Sequence, residues 1–331
     1  MANQIPTRKL GRTDLDVSRI ALGTVELGYT YGIGPRQLPS NNEALALLQR
    51  AVELGINFFD TAHFYGCAEA RIAASGIAKR PEVIIATKCG HDIEKNADIS
   101  QTELEKAIRH EVSESRKTLG SETLSIAMVH GGSAEQIKNG MIIEIMQKLK
   151  DEGQIQFVGI STRGEDAPSA AIKSGFFDCL QVGYSILDQR QSKANLRLAV
   201  QHKVGIIARS VFLKGALTPS YVHLPNALSL LKERHQDVQA IADSLGITVP
   251  TLALRFALSN RSVDTVLVGT QSIGHLEKSI DALEQGPLAA EITAKLEALA
   301  IDDANYVDPS YWPADTHSDD KSKIVRHFKA K

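Results

Sequence analysis

The sequence is poor in the features that mark several broad protein classes. Its 331 residues include three cysteines, Cys67, Cys89 and Cys179, and none belongs to a CxxC pair. An odd number of scattered thiols suggests neither a disulfide framework nor a metal site, and it fits a reducing compartment. No stretch approaches the ~20 apolar residues that a membrane helix needs, and Met1 to Leu10 lacks the apolar core of a signal peptide. A cytoplasmic protein without a membrane partner is therefore expected. Neither sign of charge prevails, because 37 Lys+Arg against 39 Asp+Glu leave a net charge of −2. With no basic stripe to meet a phosphate backbone, nucleic acid is not an expected partner. Aromatic residues make up only 5% of the chain, too few for a broad hydrophobic cleft.

Short apolar, β-branched runs do recur, separated by longer segments with i, i+3, i+4 spacing. This alternation predicts eight strands: Arg19 to Thr24, Asn57 to Thr61, Glu82 to Lys88, Ser125 to His130, Gln156 to Ser161, Asp178 to Tyr184, Val204 to Ser210 and Asp264 to Gly269. The clearest helices between them run from Asn42 to Leu54, Thr102 to Leu119, Ala134 to Asp151 and His275 to Glu284. Gly55, Gly120 and Gly153 stand where helices need a left-handed stop, and Ser100 with Glu103 reads as a capping box. The strands are apolar throughout, as parallel strands covered on both faces should be. No strand is followed by the GxGxxG turn of an open dinucleotide-binding sheet, and no linker-like stretch interrupts the series. The expected fold is one (β/α)8 barrel over residues 1–331, with an N-terminal β-hairpin at 6–18 and a C-terminal tail at 301–331. The end of that tail, Ser318 to Lys331, reads as a solvated terminus.

In such a barrel, function sits at the carboxyl ends of the strands. The second predicted strand ends in Asp60-Thr61, the third in Lys88 and the fourth in His130. Each has an ordinary alternative reading, as a turn former, a solvent-reaching amine or a structural imidazole, but their arrival at neighbouring strand ends points to shared chemistry. Asp60 and Lys88, buried together, would form an ion pair. Such a lysine lowers the pKa of an acid beside it, and Tyr65 in the following loop is the candidate acid. A Schiff-base aldolase is the alternative for a strand-end Lys88, although a paired Asp60 argues against a free amine nucleophile.

These residues resemble a known family. Gly55-Ile-Asn-Phe-Phe-Asp-Thr-Ala-His-Phe-Tyr-Gly66, Ile85-Ala-Thr-Lys88 and Met128-Val-His130 look like the signature of the aldo-keto reductases. That resemblance implies a (β/α)8 barrel using a nicotinamide cofactor, with Tyr65 as general acid, Lys88 lowering its pKa, Asp60 holding Lys88, and His130 positioning a carbonyl. It further implies that Gly23 and Thr24 approach the nicotinamide ribose, and that Ser161, Thr162 and Gln181 meet the carboxamide. Thr162 stands where the family usually has Asn. In the loop Ala208 to Gly215, Ser210, Phe212 and Gly215 would lie along the pyrophosphate, and Arg209 would replace a ring that stacks on the nicotinamide. Gly269, Thr270, Gln271, Ser272, His275 and Ser279 match the adenosine-phosphate site, with Gln271 where many relatives carry Arg. The family's habit makes NADP(H) the favoured cofactor, with NAD(H) the alternative.

The implied activity is reduction of an aldehyde or ketone, or the reverse. An NAD-linked aldose dehydrogenase and a slow-turnover cofactor-sensing subunit are the alternatives. His63, Phe64 and Trp312 are the candidate contacts to a small carbonyl or sugar substrate, together with the loop Tyr29 to Arg36. Trp312 has a second reading, in which it pins the tail to the barrel. Oligomeric state is not legible here.

Overall fold

The computed structural model describes residues 5–91, 93, 96 and 98–313. Two short antiparallel strands, β1 (Thr7–Lys9) and β2 (Asp16–Ser18), form the expected hairpin. Eight parallel strands follow: β3 (Ile20–Gly23), β4 (Phe58–Asp60), β5 (Ile84–Cys89), β6 (Leu124–His130), β7 (Ile155–Ser161), β8 (Cys179–Gly183), β9 (Gly205–Arg209) and β10 (Thr265–Gly269). They close into a barrel in chain order, with β10 pairing back onto β3. Every predicted strand is present within two residues of its expected bounds, and helices fill the crossovers.

Residues that alternate inward along the strands explain both the core and the site. Ala21, Phe58, Ala86, Met128, Cys179, Ile207 and Leu267 fill the barrel interior as one buried cluster. Leu10, from the hairpin turn, joins them from below and is fully buried. Gly11 permits this plug, because its φ is +54° and a Cβ there would fall 2.1 Å from the Gly205 nitrogen. The interior residues occupy one layer of the barrel, and a side chain two positions further along each strand points the same way.

The helix predicted over Ala134 to Asp151 is two helices, Ala134–Lys138 and Met141–Asp151. Gly140 breaks it by adopting φ +85°, a conformation that ends one helix and starts the next. The last predicted helix begins two residues earlier than expected, at Ile273, where Ser272 caps it. Gly55, Gly120 and Gly153 all have positive φ, and the Ser100–Glu103 capping box is formed. Among the described residues, no single helix is long and apolar enough to cross a membrane. The predicted solvated end, Ser318 to Lys331, lies outside the described residues.

Candidate active site

The layer above the barrel's apolar interior is polar. Two residues beyond the interior side chains of β3, β4, β5, β6, β8, β9 and β10 come Gly23, Asp60, Lys88, His130, Gln181, Arg209 and Gly269. Ser161 stands at the same height on β7, in register with His130 on one side and Gln181 on the other. The strand period of two and the barrel stagger thus bring together residues scattered over more than two hundred positions.

Within this layer, the Lys88 ammonium donates to both Asp60 carboxylate oxygens at 2.7 Å and to the Thr61 carbonyl at 3.0 Å. The Tyr65 hydroxyl lies 3.4 Å from Lys88 Nζ. Gln181 Nε2 donates to Asp60 Oδ1 at 2.7 Å, and Ser161 Oγ donates to Gln181 Oε1 at 3.0 Å. Four side chains therefore hold one another in place around the ion pair. A buried amine so engaged is not a free nucleophile, which weighs against the aldolase reading.

Tyr65 reaches the layer because its loop is pinned at both ends. The His63 amide donates to the Lys88 carbonyl at 3.1 Å, and Tyr29 Oη donates to the Phe64 carbonyl. Gly28 packs against the Tyr65 backbone so closely that a Cβ there would lie 1.7 Å from the Tyr65 carbonyl oxygen. Burial raises the pKa of the phenol, and Asp60 adds to the rise, while Arg209 and Arg163 pull it down. Asp60 takes up the lysine's charge with both oxygens, while the ammonium also points a donor at the Tyr65 hydroxyl. Burial also draws Lys88 below the usual ammonium range, against the opposing pull of Asp60.

His130 meets Tyr65 edge-on, with ring centroids 5.8 Å apart, and its Nδ1 lies 3.3 Å from Nδ1 of His91. Burial, followed by the charge of Lys88, holds its pKa well below the usual imidazole value, so it is neutral near pH 7. Phe64 stacks on His91 at 3.6 Å. His91 is a site residue that sequence reasoning missed; nothing local distinguishes it, because its link to His130 spans two strands.

Of the other expected contacts, Thr24 lies beside Asp60 and donates from both N and Oγ1 to its carbonyl. Thr162 Oγ1 is buried without a hydrogen-bond partner among the described residues. Arg209 donates to the Thr162 carbonyl at 2.9 Å and to Ser210 Oγ at 3.2 Å. Beyond it, Ser210, Leu213 and Lys214 all have φ between +44° and +60°, a concentration of left-handed non-glycine backbone that marks this loop as strained. Phe212 and Gly215 belong to the same turn, with the Gly215 amide donating to the Phe212 carbonyl. At β10, Thr270 Oγ1 accepts from the Ser272 amide, Ser272 Oγ accepts from the His275 amide, and Ser279 Oγ donates to the His275 carbonyl. Gln271 Nε2 donates to the Glu26 carbonyl.

Trp312 is not at the mouth. It is 4% exposed, belongs to the outer core, and donates from Nε1 to the Tyr306 carbonyl. It pins the tail, and the tail instead meets the mouth through Val307, Asp308 and Pro309, which line a small pocket with Thr162, Arg163, Arg209 and Ser210. The three cysteines are buried, and burial pushes each thiol up, so they pack rather than react.

A closed parallel barrel with a buried Asp–Lys pair touching a tyrosine at its carboxyl end defines a class of oxidoreductase barrel. The sequence pattern of the Aldo/keto reductase family matches residues 19–301, and the chain belongs to that family. It is similar to L-galactose dehydrogenase of Arabidopsis thaliana, 30% identical over 95% of this chain and 99% of that one. It is also similar to D-threo-aldose 1-dehydrogenase of a Pseudomonas species, 26% identical over 70% of this chain and 80% of the other. Among solved structures, the holo form of an aldo-keto reductase from Bacillus halodurans, AKR11C1, superimposes with a TM-score of 0.74 at 26% identity, covering 91% and 98% of the two chains.

Proposed function

We propose that the protein is a cytoplasmic oxidoreductase that interconverts a small carbonyl compound and its alcohol with a nicotinamide dinucleotide, Tyr65 serving as the proton donor. The contact between the Tyr65 hydroxyl and Lys88 carries this reading, because it joins an acid to a lysine that Asp60 fixes. The dinucleotide, when bound, supplies or accepts the hydride.

The residues of the mouth suit such a group. Thr162 has a buried hydroxyl in need of a partner, beside the Ser161–Gln181 pair that would hold an amide. Arg209 and Lys214 give positive charge along the loop after β9, where barrels hold phosphates. Thr24, Ser210, Phe212 and Gly215 complete the proposed cofactor wall.

The chain's own part of the chemistry is proton handling. Tyr65 keeps its proton until a stronger base develops on the carbonyl oxygen, then donates it through Oη. Arg209 and Arg163 ease the charge left on the phenolate, and Lys88 donates to the same oxygen. Neutral His130 can donate one N–H to the carbonyl oxygen and so orient it. His63 and Phe64, which immediately precede Tyr65 in its loop, are the proposed substrate contacts. Similarity to two sugar dehydrogenases favours a second reading on the same site, oxidation of an aldose, in which Tyr65 takes the proton back.

Tyr65→Phe tests the assignment. It removes the proton and leaves the ring, so turnover should fall about a hundred- to ten-thousandfold while dinucleotide affinity stays the same. Wild-type turnover in that variant would disprove the role of Tyr65.

A further inference from the structure

A second polar centre lies at the edge of the mouth, where β10 pairs with β3, and proton transfer makes no use of it. Glu26 follows β3 by three residues and is 8% exposed. Among the described residues its Oε2 has no hydrogen-bond partner, and Arg36 forms an ion pair with it at 3.6 Å, beyond hydrogen-bond reach. The hydrogen bonds of Arg36 are long, at 3.4 Å to the Ile33 carbonyl and to Ser220 Oγ. The other oxygen, Oε1, lies over Gly269 and would be 3.2 Å from a Cβ placed there. Gln271 Nε2 reaches the Glu26 carbonyl at 3.1 Å. The carboxylate therefore sits against the end of β10, while the backbone of the same residue meets the loop that leads into the helix Ile273–Glu284. Burial raises its pKa, and the charge of Arg36 opposes the rise.

In α/β barrels, the loops after the seventh and eighth strands and an adjacent helix N-terminus commonly hold phosphate. Those strands here are β9 and β10. The two loops differ in charge. Arg209 ends β9 and Lys214 follows it, whereas Thr270, Gln271 and Ser272 follow β10 without a fixed cation. Nearby Arg50 is held by Glu277 at 2.8 Å and Glu53 at 3.1 Å. A phosphate dianion at the β10 loop would face the Glu26 carboxylate. A ribose with both hydroxyls free would instead bring O–H donors to an acceptor that lacks one.

We propose that Glu26 selects the dinucleotide, accepting hydrogen bonds from the ribose hydroxyls of NAD(H) and excluding the 2′-phosphate of NADP(H). This rests on the nicotinamide reading above and reverses the preference for NADP(H) expected from the sequence.

The test is a calorimetric titration of the full chain, wild type and Glu26→Gln, with NADH and with NADPH. The wild type should bind NADH at least about a hundredfold more tightly, and Glu26→Gln should shrink that ratio at least about tenfold, mainly by gaining NADPH. A ratio unchanged within about twofold in the variant, or a wild type that prefers NADPH, overturns the proposal. Folded wild type that binds neither nucleotide overturns the nicotinamide reading, and this proposal with it. Glu26→Ala, checked by its melting curve, gives the same reading if the Gln variant does not fold. It should admit NADPH as the Gln variant does and lose more NADH affinity, because it keeps no acceptor.

Discussion

At the centre of the barrel mouth the charges are closed upon one another. Asp60 accepts from Lys88 and Gln181, Lys88 also binds a carbonyl, and Ser161 holds Gln181. At the β3–β10 edge, Glu26 has an oxygen without a hydrogen-bond donor among the described residues, and its cation pairs with it only at 3.6 Å. The first arrangement is complete before any ligand arrives and suits chemistry that needs fixed geometry. The second is incomplete and suits discrimination, since a group left wanting a partner binds the ligand that supplies one and rejects the ligand that repels it.

Breaking the closed centre should have the largest effect. Lys88→Met leaves Asp60 buried without its cation and should cost about 3–5 kcal/mol of stability as well as activity. The double variant Asp60→Asn, Lys88→Met should recover most of the stability by chemical denaturation and none of the turnover. Recovery of neither would mean that the pair contributes through packing rather than charge.

At the edge, the corresponding change should be mild for folding and visible in binding. Gln271→Arg places a cation beside Glu26, and NADPH affinity should rise about tenfold with stability altered by less than about 0.5 kcal/mol. Calorimetry and melting curves together check it. A stability loss as large as that of Lys88→Met would erase the contrast between the two regions.

Acidification probes the centre again, more gently. His130 is held neutral, with its pKa well below 6.5 in the folded state, while the unfolded chain takes up the proton near 6.5. Below pH 6.5 the unfolded state therefore binds more protons than the native state, and stability falls as pH falls. The slope from this group is at most about 1.4 kcal/mol per pH unit. His130→Asn should flatten that part of the profile. The buried His235, also lowered by burial, adds a slope that the variant keeps.

Much of the centre was legible because its logic is local. A strand points every second side chain inward, so Asp60, Lys88 and His130 could be read as strand-end residues of a barrel from apolar runs alone. Gln181 and Ser161 were reached through resemblance, and the ladder that sets them side by side gives the physical reason. The edge was far less legible. Glu26 left one signal, a carboxylate just past an apolar strand in Gly23-Thr-Val-Glu-Leu-Gly28, which is indistinguishable from a solvated turn without knowing what lies over it. Gln271 marks a missing cation in the sequence, but nothing in the sequence places the Glu26 anion near it.

The sequence by itself determined the barrel, its hairpin plug and the polar layer at its carboxyl end, because strand period, glycine stops and apolar runs act over a few residues. Tertiary structure alone decided that Trp312 turns inward to hold the tail, that His91 meets His130, that Arg209 and Arg163 stand close enough to pull the phenol's pKa down, and that Glu26 lies over Gly269. Each of these depends on distances between loops far apart in the chain, and packing sets such distances only once the barrel has closed.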